Sequence, residues 1–466
     1  MIFPFTLNYK KWVLTSIILI LFISCKKFVE VGFPRTSLSS SVVFASDATA
    51  TAAISGIYNQ MSGTQSLATG FNSLSYVAGL SADELVNYQT GNLTYQQFFE
   101  NSLTPSNSTL TSNIWGEPYQ YIYKANAILE GLQSSSGITP ALKSQLRGEA
   151  LFIRAFAHFY LVNLFGDVPL VLTTDYRQNA IVQRVPKVRV YQQIKTDLKE
   201  AQNLLSMDYS FSQNERVRPN QWAATALLGR VYLYQQQWDS AELQTSRVIN
   251  NTGIYSLTSL DSVFLANSSE AIWQLASPFG NTTDAQTFIF SGNPPDAALR
   301  NTFVNEFETG DLRKQNWIGT SLSGTDTFYY PYKYKATVPS PITEYSMVLR
   351  LAEQYLIRAE ARAMQGKITG GNSAETDVNF IRNRAGLPNT IAATLVEMIA
   401  AISNEMRFEF FTEWGHRWLN LKRLGIIDTV LQNLKPAWST YDQLYPIPKA
   451  QLDNDPGMAN AQNPGY

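Results

Sequence analysis

Leu228-Gly229-Arg230-Val231-Tyr232, with Ala241 nine residues later, predicts two α-helices folded back on each other. The Leu-Gly, Tyr and Ala positions have the spacing of a tetratricopeptide repeat, a motif made of one helical hairpin. The small residues Gly229 and Ala241 allow the two backbones to approach closely, and the Tyr232 ring then fills the groove between them. We therefore expect a helical hairpin here.

The same pattern returns in weaker form around Ala157 and Tyr160, and again around Ala359 and Arg362. One good copy and two degenerate ones favour diverged hairpins packed into one globule, because an open solenoid needs units stacked at a fixed period. Apolar residues at helical spacing predict helices over residues 114–133, 141–165, 190–205, 220–236, 239–250, 345–366, 372–385 and 395–423.

Two stretches between these helices differ in composition. Residues 60–113 and 251–340 are rich in Gly, Pro, Asn, Ser and Thr and contain only short apolar runs. We interpret them as long loops with small strands. The predicted fold class is therefore mostly α, with tetratricopeptide-like helical hairpins in one globular domain, long loops and a few short strands.

The overall composition excludes some functional classes. The 466 residues carry a formal net charge of −1, which argues against a nucleic-acid surface. Charged residues make up 16% of the chain, below the typical ~25%, while aromatic residues reach 12%. A protein surface with few charges and many aromatic rings suits uncharged polyhydroxy ligands, which it can bind through ring stacking and hydrogen bonds. A single cysteine means that no intramolecular disulfide stabilises the fold.

The N-terminal residues predict export. Two lysines precede a short apolar run that ends at Cys25, which is too short for a membrane-spanning helix of about 20 residues. We predict a lipoprotein signal peptide over residues 1–24, a lipidated tether over 25–36 that begins at Cys25, and a folded domain over 37–466. Phe22 departs from the Leu that is usual at its position. The alternative is an ordinary signal peptide in which Cys25 is incidental.

Residues for catalytic chemistry are sparse. His158 and His416 are the two histidines, and no phosphate-binding loop, dinucleotide glycine pattern or zinc-protease helix occurs. Because His158 has apolar neighbours along its helix, we interpret it as a buried histidine rather than a ligand. The sequence thus predicts a protein that is not an enzyme and has neither a metal site nor a cofactor.

Glu405, Glu409 and Glu413 lie at four-residue spacing on one predicted helix, and Arg417 continues the row. The pair Glu413 and Arg417 has the favoured i,i+4 orientation. Neighbouring arginines stabilise ionised carboxylates and make them poor general acids. We interpret the row as a structural ion-pair network. A glycoside hydrolase would need two isolated facing carboxylates, which the sequence does not show.

Six motifs follow one another along the chain: GEALFIRA at 148–155, FGDVP at 165–169, RLAEQYLIRAEA at 350–361, IRNRAGL at 381–387, EMRFEFFTEWGHRWLNLKR at 405–423 and QNPGY at 462–466. Together they resemble the SusD/RagB family of nutrient-binding outer-membrane lipoproteins of Bacteroidetes. They occur in family order over nearly the whole mature chain, with two departures in the last helix, Met406 where an arginine is usual and Asn420 where an aspartate is usual. Together the two changes remove both charges of one ion pair, so neither charge is left without its partner.

The resemblance implies a fold and a cellular role. It implies tetratricopeptide-like hairpins, a lipid anchor in the outer membrane facing outward, and partnership with a SusC-like TonB-dependent transporter. The family's ligands are usually oligosaccharides, and in the RagB branch they are peptides. The matching motifs are scaffold, so they assign no ligand-binding residue to this chain.

Candidate ligand-binding residues therefore come from physical chemistry. A glycan site needs exposed aromatic faces flanked by amide or carboxylate groups. Two loops supply that mixture, whereas Trp115, Trp222 and Trp273 lie in regular segments and are predicted to be core. For each aromatic candidate the alternative is a ring that packs its own loop. The candidates are Asp83, Tyr88, Asn92 and Tyr95 in the first loop and Phe279, Asn281, Trp317, Tyr329 and Tyr330 in the second.

Two further functions remain open at the level of sequence. One is a helical-repeat adaptor that makes protein–protein contacts at the cell surface, and the other is a peptide-binding receptor of the RagB type. A glycan receptor would be retarded in a native gel that contains the right polysaccharide, whereas an adaptor would not.

Overall fold

The predicted helical frame is present in the computed structural model, which describes residues 40–290 and 295–466. The predicted signal peptide and tether, with Cys25, lie outside the described residues. The α-helices are α1 Ser40–Val43, α2 Asp47–Met61, α3 Leu74–Ser81, α4 Leu93–Glu100, α5 Glu117–Ser134, α6 Pro140–Phe165, α7 Tyr176–Asn179, α8 Lys187–Leu204, α9 Gln221–Tyr234, α10 Trp238–Ile249, α11 Asp284–Phe288, α12 Asn301–Asn305, α13 Leu312–Trp317, α14 Leu351–Met364, α15 Ala374–Arg384, α16 Leu395–Glu409, α17 His416–Arg423, α18 Ile427–Leu431 and α19 Lys449–Asn454.

Short antiparallel strands connect the helical layers. One sheet has the order β1-β5-β7-β6, and two smaller sheets pair β2 with β3 and β4 with β8. A π-helix over Leu110–Gly116 runs directly into α5. The strands are β1 Leu85–Asn87, β2 Val168–Pro169, β3 Arg184–Val185, β4 Ala271–Leu275, β5 Ala297–Leu299, β6 Ile318–Ser323, β7 Asp326–Pro331 and β8 Ser346–Arg350.

The long helices pack in chain order as antiparallel hairpins. Helix α6 packs on α5 and α8, α8 on α9, α9 on α10, α10 on α14, and α14 on α15 and α16. The predicted close approach is present, because a Cβ on Gly229 would lie 3.0 Å from Thr245 Cγ2 of α10. Ala241 and Tyr232 are both buried between the helices. The predicted tetratricopeptide-like architecture is thereby confirmed.

Two predicted helix boundaries are wrong. The segment predicted as a helix over 345–366 begins as β8, which pairs with β4, and becomes helical only at Leu351. The segment predicted as one helix over 395–423 is two helices, because the backbone at Thr412, Trp414 and Gly415 takes positive φ. This break packs on α3, where the Trp414 amide donates to Ser75 Oγ at 2.8 Å. A tertiary contact therefore ends α16.

The first predicted loop region also contains helices. Every residue of α3 is buried, so its sequence has no polar face and no amphipathic period to detect. Helix α4 begins after Asn92, whose side-chain oxygen accepts the Thr94 amide at 3.2 Å. The second region, 251–340, contains the predicted small strands together with short helices.

The core confirms the predicted burial of three tryptophans. Trp115, Trp222 and Trp273 are all buried. The Trp273 ring contacts Phe152 and Phe156 edge-to-face, at centroid distances of 5.0 and 5.4 Å. A second apolar cluster lies among α14, α15 and α16. None of the helices in the described ranges is long and apolar enough to cross a membrane.

A buried ion-pair cluster joins the helical core to the strand region. The Arg350 guanidinium donates to Glu409 Oε1 at 2.6 Å and to Glu413 Oε2 at 2.9 Å. Burial raises the pKa of Glu409, but three arginines (Arg384, Arg350 and Arg313) outweigh it and hold the pKa well below its usual range. The predicted structural role of the glutamate row is therefore confirmed.

The predicted pair between Glu413 and Arg417 is wrong. Because the chain leaves the helix after Glu409, Glu413 instead contacts Lys333 Nζ at 2.6 Å. Arg417 donates to both oxygens of Asp83, at 2.7 and 2.8 Å. The break in the helix turns the two predicted partners toward different neighbours.

The two departures from the family pattern lie in contact. The Asn420 amide lies 3.3 Å from the Met406 sulfur, and Asn420 Oδ1 accepts Arg423 Nε at 2.7 Å. Two uncharged side chains are therefore in contact at these positions.

Candidate functional site

The sheet β1-β5-β7-β6 brings the two predicted binding loops together. Asn87 at the end of β1 pairs with Ala297 of β5, and Leu299 of β5 pairs with Tyr329 of β7. The Tyr88 amide extends this ladder by donating to Asp296 O at 2.9 Å. Residues more than 200 positions apart therefore share one surface.

The aromatic residues of strand β7 lie on two different faces of the sheet. Phe328 and Tyr330 lie two residues apart and point to the same side of the sheet, while Tyr329 points to the other. Tyr329 packs against the hydrophobic core, and Tyr332 continues the row of Phe328 and Tyr330 beyond the strand. The strand thus presents aromatic rings on both faces, and only one of these faces is directed outward.

The outward rings form a continuous surface that we call the aromatic strip. Neighbouring rings meet edge-to-face, the arrangement that the ring quadrupoles favour. The exposed fraction of Tyr88 is 38%, and the other four side chains are partly exposed. The strip runs Tyr88–Phe328–Phe290–Tyr330–Tyr332, with successive centroid distances of 5.1, 6.4, 5.1 and 5.8 Å.

Gly319 of β6 makes room for the strip. It pairs in register with Tyr330, and a Cβ at Gly319 would lie 2.2 Å from a carbon of the Tyr330 ring. The ring therefore lies directly over the β6 backbone, where only a hydrogen fits. This contact holds Tyr330 in a defined orientation on the sheet.

The electrostatic surroundings keep the strip uncharged. Partial burial raises the pKa of Tyr88, which Arg300 lowers and Asp326 raises, and burial also raises the pKa of Tyr330. Both phenols are thus neutral at physiological pH and can donate and accept hydrogen bonds. The amide of Gln89 donates to Asp296 beside them.

Such a surface is suited to binding. Apolar ring faces cover the C–H surfaces of a sugar or another flat ligand, and the flanking hydroxyl, amide and carboxylate groups accept or donate hydrogen bonds. No group of His, Cys, Asp and Glu side chains that could hold a metal ion is present in residues 40–290 and 295–466.

The predicted site residues divide into those at the strip and those elsewhere. Tyr88 and Tyr330 belong to the strip. Asn92 caps α4, and the Tyr95 hydroxyl donates to Asn72 Oδ1 at 3.1 Å while its ring packs on the core. Phe279 is 64% exposed at a turn, and no aromatic contact links it to the strip within the described part of the chain.

Three predicted binding residues are buried, which corrects the expectation for them. Trp317 has no exposed surface, and its Nε1 donates to Leu260 O at 3.0 Å. Asp83 is 3% exposed, and although burial raises its pKa, the Arg417 side chain outweighs this and lowers the pKa to about 2. Neither side chain is accessible to a ligand.

Asn281 is the third buried candidate, and it holds a loop together. Its amide donates to the carbonyls of Val338 and Pro341 at 2.9 and 2.8 Å. Its oxygen accepts the amides of Thr343 and Glu344 at 2.7 and 2.8 Å. All of its hydrogen-bonding capacity is used within the protein.

Sequence reasoning missed Phe290, Phe328 and Tyr332. The sequence does contain a signal for Phe328 and Tyr332. Gly324 and Thr325 form a two-residue turn, which fixes a hairpin between β6 and β7. The hairpin register then places Phe328 on the face of Tyr330. Phe290 carries no comparable signal, since only the tertiary fold brings it to the strip.

Neither histidine takes part in the strip. His158 is buried, its Nδ1 lies 2.9 Å from Arg154 O, and burial lowers its pKa to about 4. The prediction of a buried histidine is confirmed. His416 stacks on Phe410 at a centroid distance of 4.8 Å, and burial holds its pKa well below the usual value.

The fold and the strip define a class of protein, in which tetratricopeptide-like hairpins support a small sheet with an aromatic surface. Two family models match the chain: one described as "Starch-binding associating with outer membrane" over residues 43–233, and one described as "SusD family" over 314–466. The chain belongs to the SusD/RagB family.

Two relatives match over very different shares of the chain. SusD-like protein P25 of Formosa agariphila is 24% identical over 95% of this chain and 97% of its own. The starch-binding protein SusD of Bacteroides thetaiotaomicron is 34% identical over 26% of this chain and 21% of its own.

Solved structures share the fold. A laminarin-binding SusD-like protein aligns with a TM-score of 0.76 at 24% identity, over 91% of this chain and 100% of its own. Surface glycan-binding protein A from Bacteroides fluxus aligns with a TM-score of 0.76 at 21% identity, with the same coverage.

Proposed function

We propose that this protein captures oligosaccharides at the aromatic strip without turning them over. The strip itself carries the proposal, because the fold assembles five partly exposed rings from distant segments into one uncharged surface. Such rings stack on the C–H faces of sugars. The names of the aligned laminarin-binding and glycan-binding proteins support the same ligand class.

The proposal includes a place in the cell. Lipidation at Cys25 would anchor the protein at the outer face of the outer membrane, where it would deliver its ligand to a SusC-like TonB-dependent transporter. The description of the matched family model as associating with the outer membrane supports this location. Purification of the tagged protein from detergent-solubilised native membranes should recover a TonB-dependent barrel with it. Recovery of the protein alone would contradict delivery.

A native gel cast with each member of a polysaccharide panel tests ligand capture. We expect retardation by at least one neutral polysaccharide, and calorimetric titration with its oligosaccharide should give a measurable affinity. Phe328→Ala and Tyr330→Ala should each weaken that affinity at least about tenfold. The matched control is Tyr176→Ala, which removes a ring that is 76% exposed on α7.

Other results would favour the alternatives. Binding of a peptide panel with no retardation by any polysaccharide would indicate a RagB-type peptide receptor. Binding of neither class would leave the helical-repeat adaptor. Release of new reducing ends from a bound oligosaccharide would show turnover and contradict a pure capture role.

A further inference from the structure

A groove that contains several positive charges lies among the helical hairpins. It consists of two adjoining cavities of about 860 and 540 Å³ that share Gln236 in their walls. The larger is walled by the ends of α6 and α9, by β3, by the start of α8, by α17 and by the C-terminal segment. We call the whole depression the basic groove, after its cations Arg184, Lys187, Lys195, Lys199 and Lys422.

Helix α8 forms one continuous wall of the basic groove. Lys187, Tyr191, Lys195 and Lys199 follow at four-residue intervals and therefore share one helix face. Lys187 and Tyr191 line the larger cavity, while Lys195 and Lys199 line the smaller one. At 1.5 Å per residue the row extends roughly 18 Å, which is long enough for an elongated ligand.

The groove cations have no carboxylate partners within 4.0 Å in the part of the chain that the structure describes. Arg184 donates to the backbone carbonyls of Asp167 and Ala461 at 2.7 and 2.6 Å. Lys422 donates to Asn163 O, and Lys195 to the amide oxygen of Gln237 at 3.2 Å. These acceptors are neutral, and only Arg184 has its charge partly offset, by the Asp167 carboxylate that lines the same cavity.

Few acidic groups line the walls. Asp167 and Asp239 are the carboxylates among the lining residues, and Asp167 already accepts the Lys187 backbone amide at 2.8 Å. Arg423 also lines the larger cavity, but it is paired with Glu360 at 2.7 Å. The five unpaired cations thus exceed the two carboxylates.

Repulsion between cations in the basic groove also favours an anionic ligand. Burial, and to a smaller extent repulsion from the nearby Lys187, together lower the pKa of Lys422 to about 7. An anion bound between the two would remove the penalty on the charged form of Lys422. The geometry of the groove and its charge therefore favour the same class of ligand.

The remaining walls suit a saccharide better than a peptide. Tyr234 contributes a partly exposed phenol ring, and Gln235 and Gln236 contribute amides, whereas Tyr191 is buried and donates its hydroxyl to Asn163 Oδ1 at 2.9 Å. The wall thus combines amide groups with a ring surface, a combination that suits hydroxyl-rich ligands. We propose that the basic groove binds an acidic oligosaccharide, one with carboxylate or sulfate groups along its chain, at a site separate from the aromatic strip.

The charge of the basic groove is sufficient to predict an anionic ligand. The inference that this ligand is a saccharide rests on the proposed function. The test is calorimetric titration of the full chain with hexagalacturonate and with a sulfated hexasaccharide at low ionic strength. We expect binding of at least one of them, weakened by added salt because exposed charges are screened. The double variant Lys187→Gln/Lys199→Gln should lose about tenfold in affinity.

The chain offers a matched control on the same helix. Arg189→Gln removes one exposed cation of α8 that does not line the groove, so affinity should stay unchanged. Thermal melts should be alike for all these variants, because the substituted side chains are exposed. An equal loss in Arg189→Gln would mean diffuse attraction only and would overturn the proposal, as would absence of binding.

Two further measurements separate this site from the strip and from a peptide site. Phe328→Ala should keep its affinity for the acidic oligosaccharide even where it loses a neutral one. If Phe328→Ala abolishes acidic binding while the lysine variants do not, the strip is the site and the groove proposal fails. Tighter binding of hexaglutamate than of hexagalacturonate would overturn the saccharide class.

Discussion

Trp317 shows how burial reverses the role that a residue is expected to have. Its sequence neighbours are polar, which favoured an exposed ring, yet it has no exposed surface and contacts Phe264 edge-to-face at 5.6 Å. Trp317→Ala should therefore lower the unfolding free energy by about 3–5 kcal/mol and leave ligand affinity of the folded protein unchanged. Thermal melts and calorimetric titration check this. Phe279→Ala, at an exposed ring, should leave the melting temperature as it is.

Glu84 is a second residue whose environment determines its chemistry. Burial and then the neighbouring Asp83 raise its pKa from 4.5 to about 8. Its Oε1 accepts no hydrogen bond within the described ranges, while Oε2 accepts the Thr412 amide at 3.3 Å. The carboxyl group is thus expected to be protonated at neutral pH.

This shift predicts a pH-dependent stability. Between pH 4.5 and about 8 the folded state binds the proton that the unfolded state has released, so the unfolding free energy falls as the pH rises. Glu84→Gln should remove this loss, which is on the order of a few kcal/mol. Melting temperatures of both proteins from pH 5 to pH 9 should diverge as the pH rises. Parallel curves would contradict the prediction, since all other groups titrate alike in both.

Among the elements, α16 depends on the ion-pair cluster at its end. Glu409→Ala leaves three buried arginines without a shared partner, which should cost about 3–5 kcal/mol of stability. The affinity of the folded fraction should not change. Denaturant unfolding measures the first effect and titration the second. Asn404→Ala, at an exposed position of the same helix, is the control and should stay within about 0.5 kcal/mol of the parent.

The β6–β7 hairpin is the element that holds the strip in place. Gly319→Val places side-chain atoms where the Tyr330 ring lies, so the ring must move and stacking on a ligand is lost. We expect affinity for the cognate oligosaccharide to fall roughly tenfold, about 1.4 kcal/mol. Thr320→Val, one position along the same strand and on the other face, should bind normally. Unchanged binding by Gly319→Val would place the ligand elsewhere.

The whole molecule is expected to depend on Cys25 for its location. A single acyl chain holds a protein only marginally at a membrane, whereas several chains on one cysteine hold it stably. In the full-length protein, Cys25→Ser should therefore shift the protein from the membrane fraction to the soluble fraction. Fractionation of cells followed by immunoblotting measures this. Unchanged membrane recovery would mean that Cys25 is incidental to attachment.

The sequence by itself determined the helical architecture, the family and the structural role of the glutamate row. Helix periods and the Gly229–Ala241 spacing are local properties, so they can be recognised in the sequence without knowledge of distant contacts. Tyr88 and Tyr330 were also predicted, because an aromatic ring in a polar loop is a local signal.

Only the tertiary structure decided which aromatic residues share a surface and which are buried. The strip depends on the pairing of β1 with β5 and of β5 with β7, which joins segments more than 200 residues apart in the sequence. No local sequence pattern indicates that pairing. The same holds for the helix break at Thr412, which forms because α3 contacts the chain there, and for the burial of Trp317. Strand pairing and burial are long-range properties, and they place the aromatic strip on a helical frame that local periodicity had already specified.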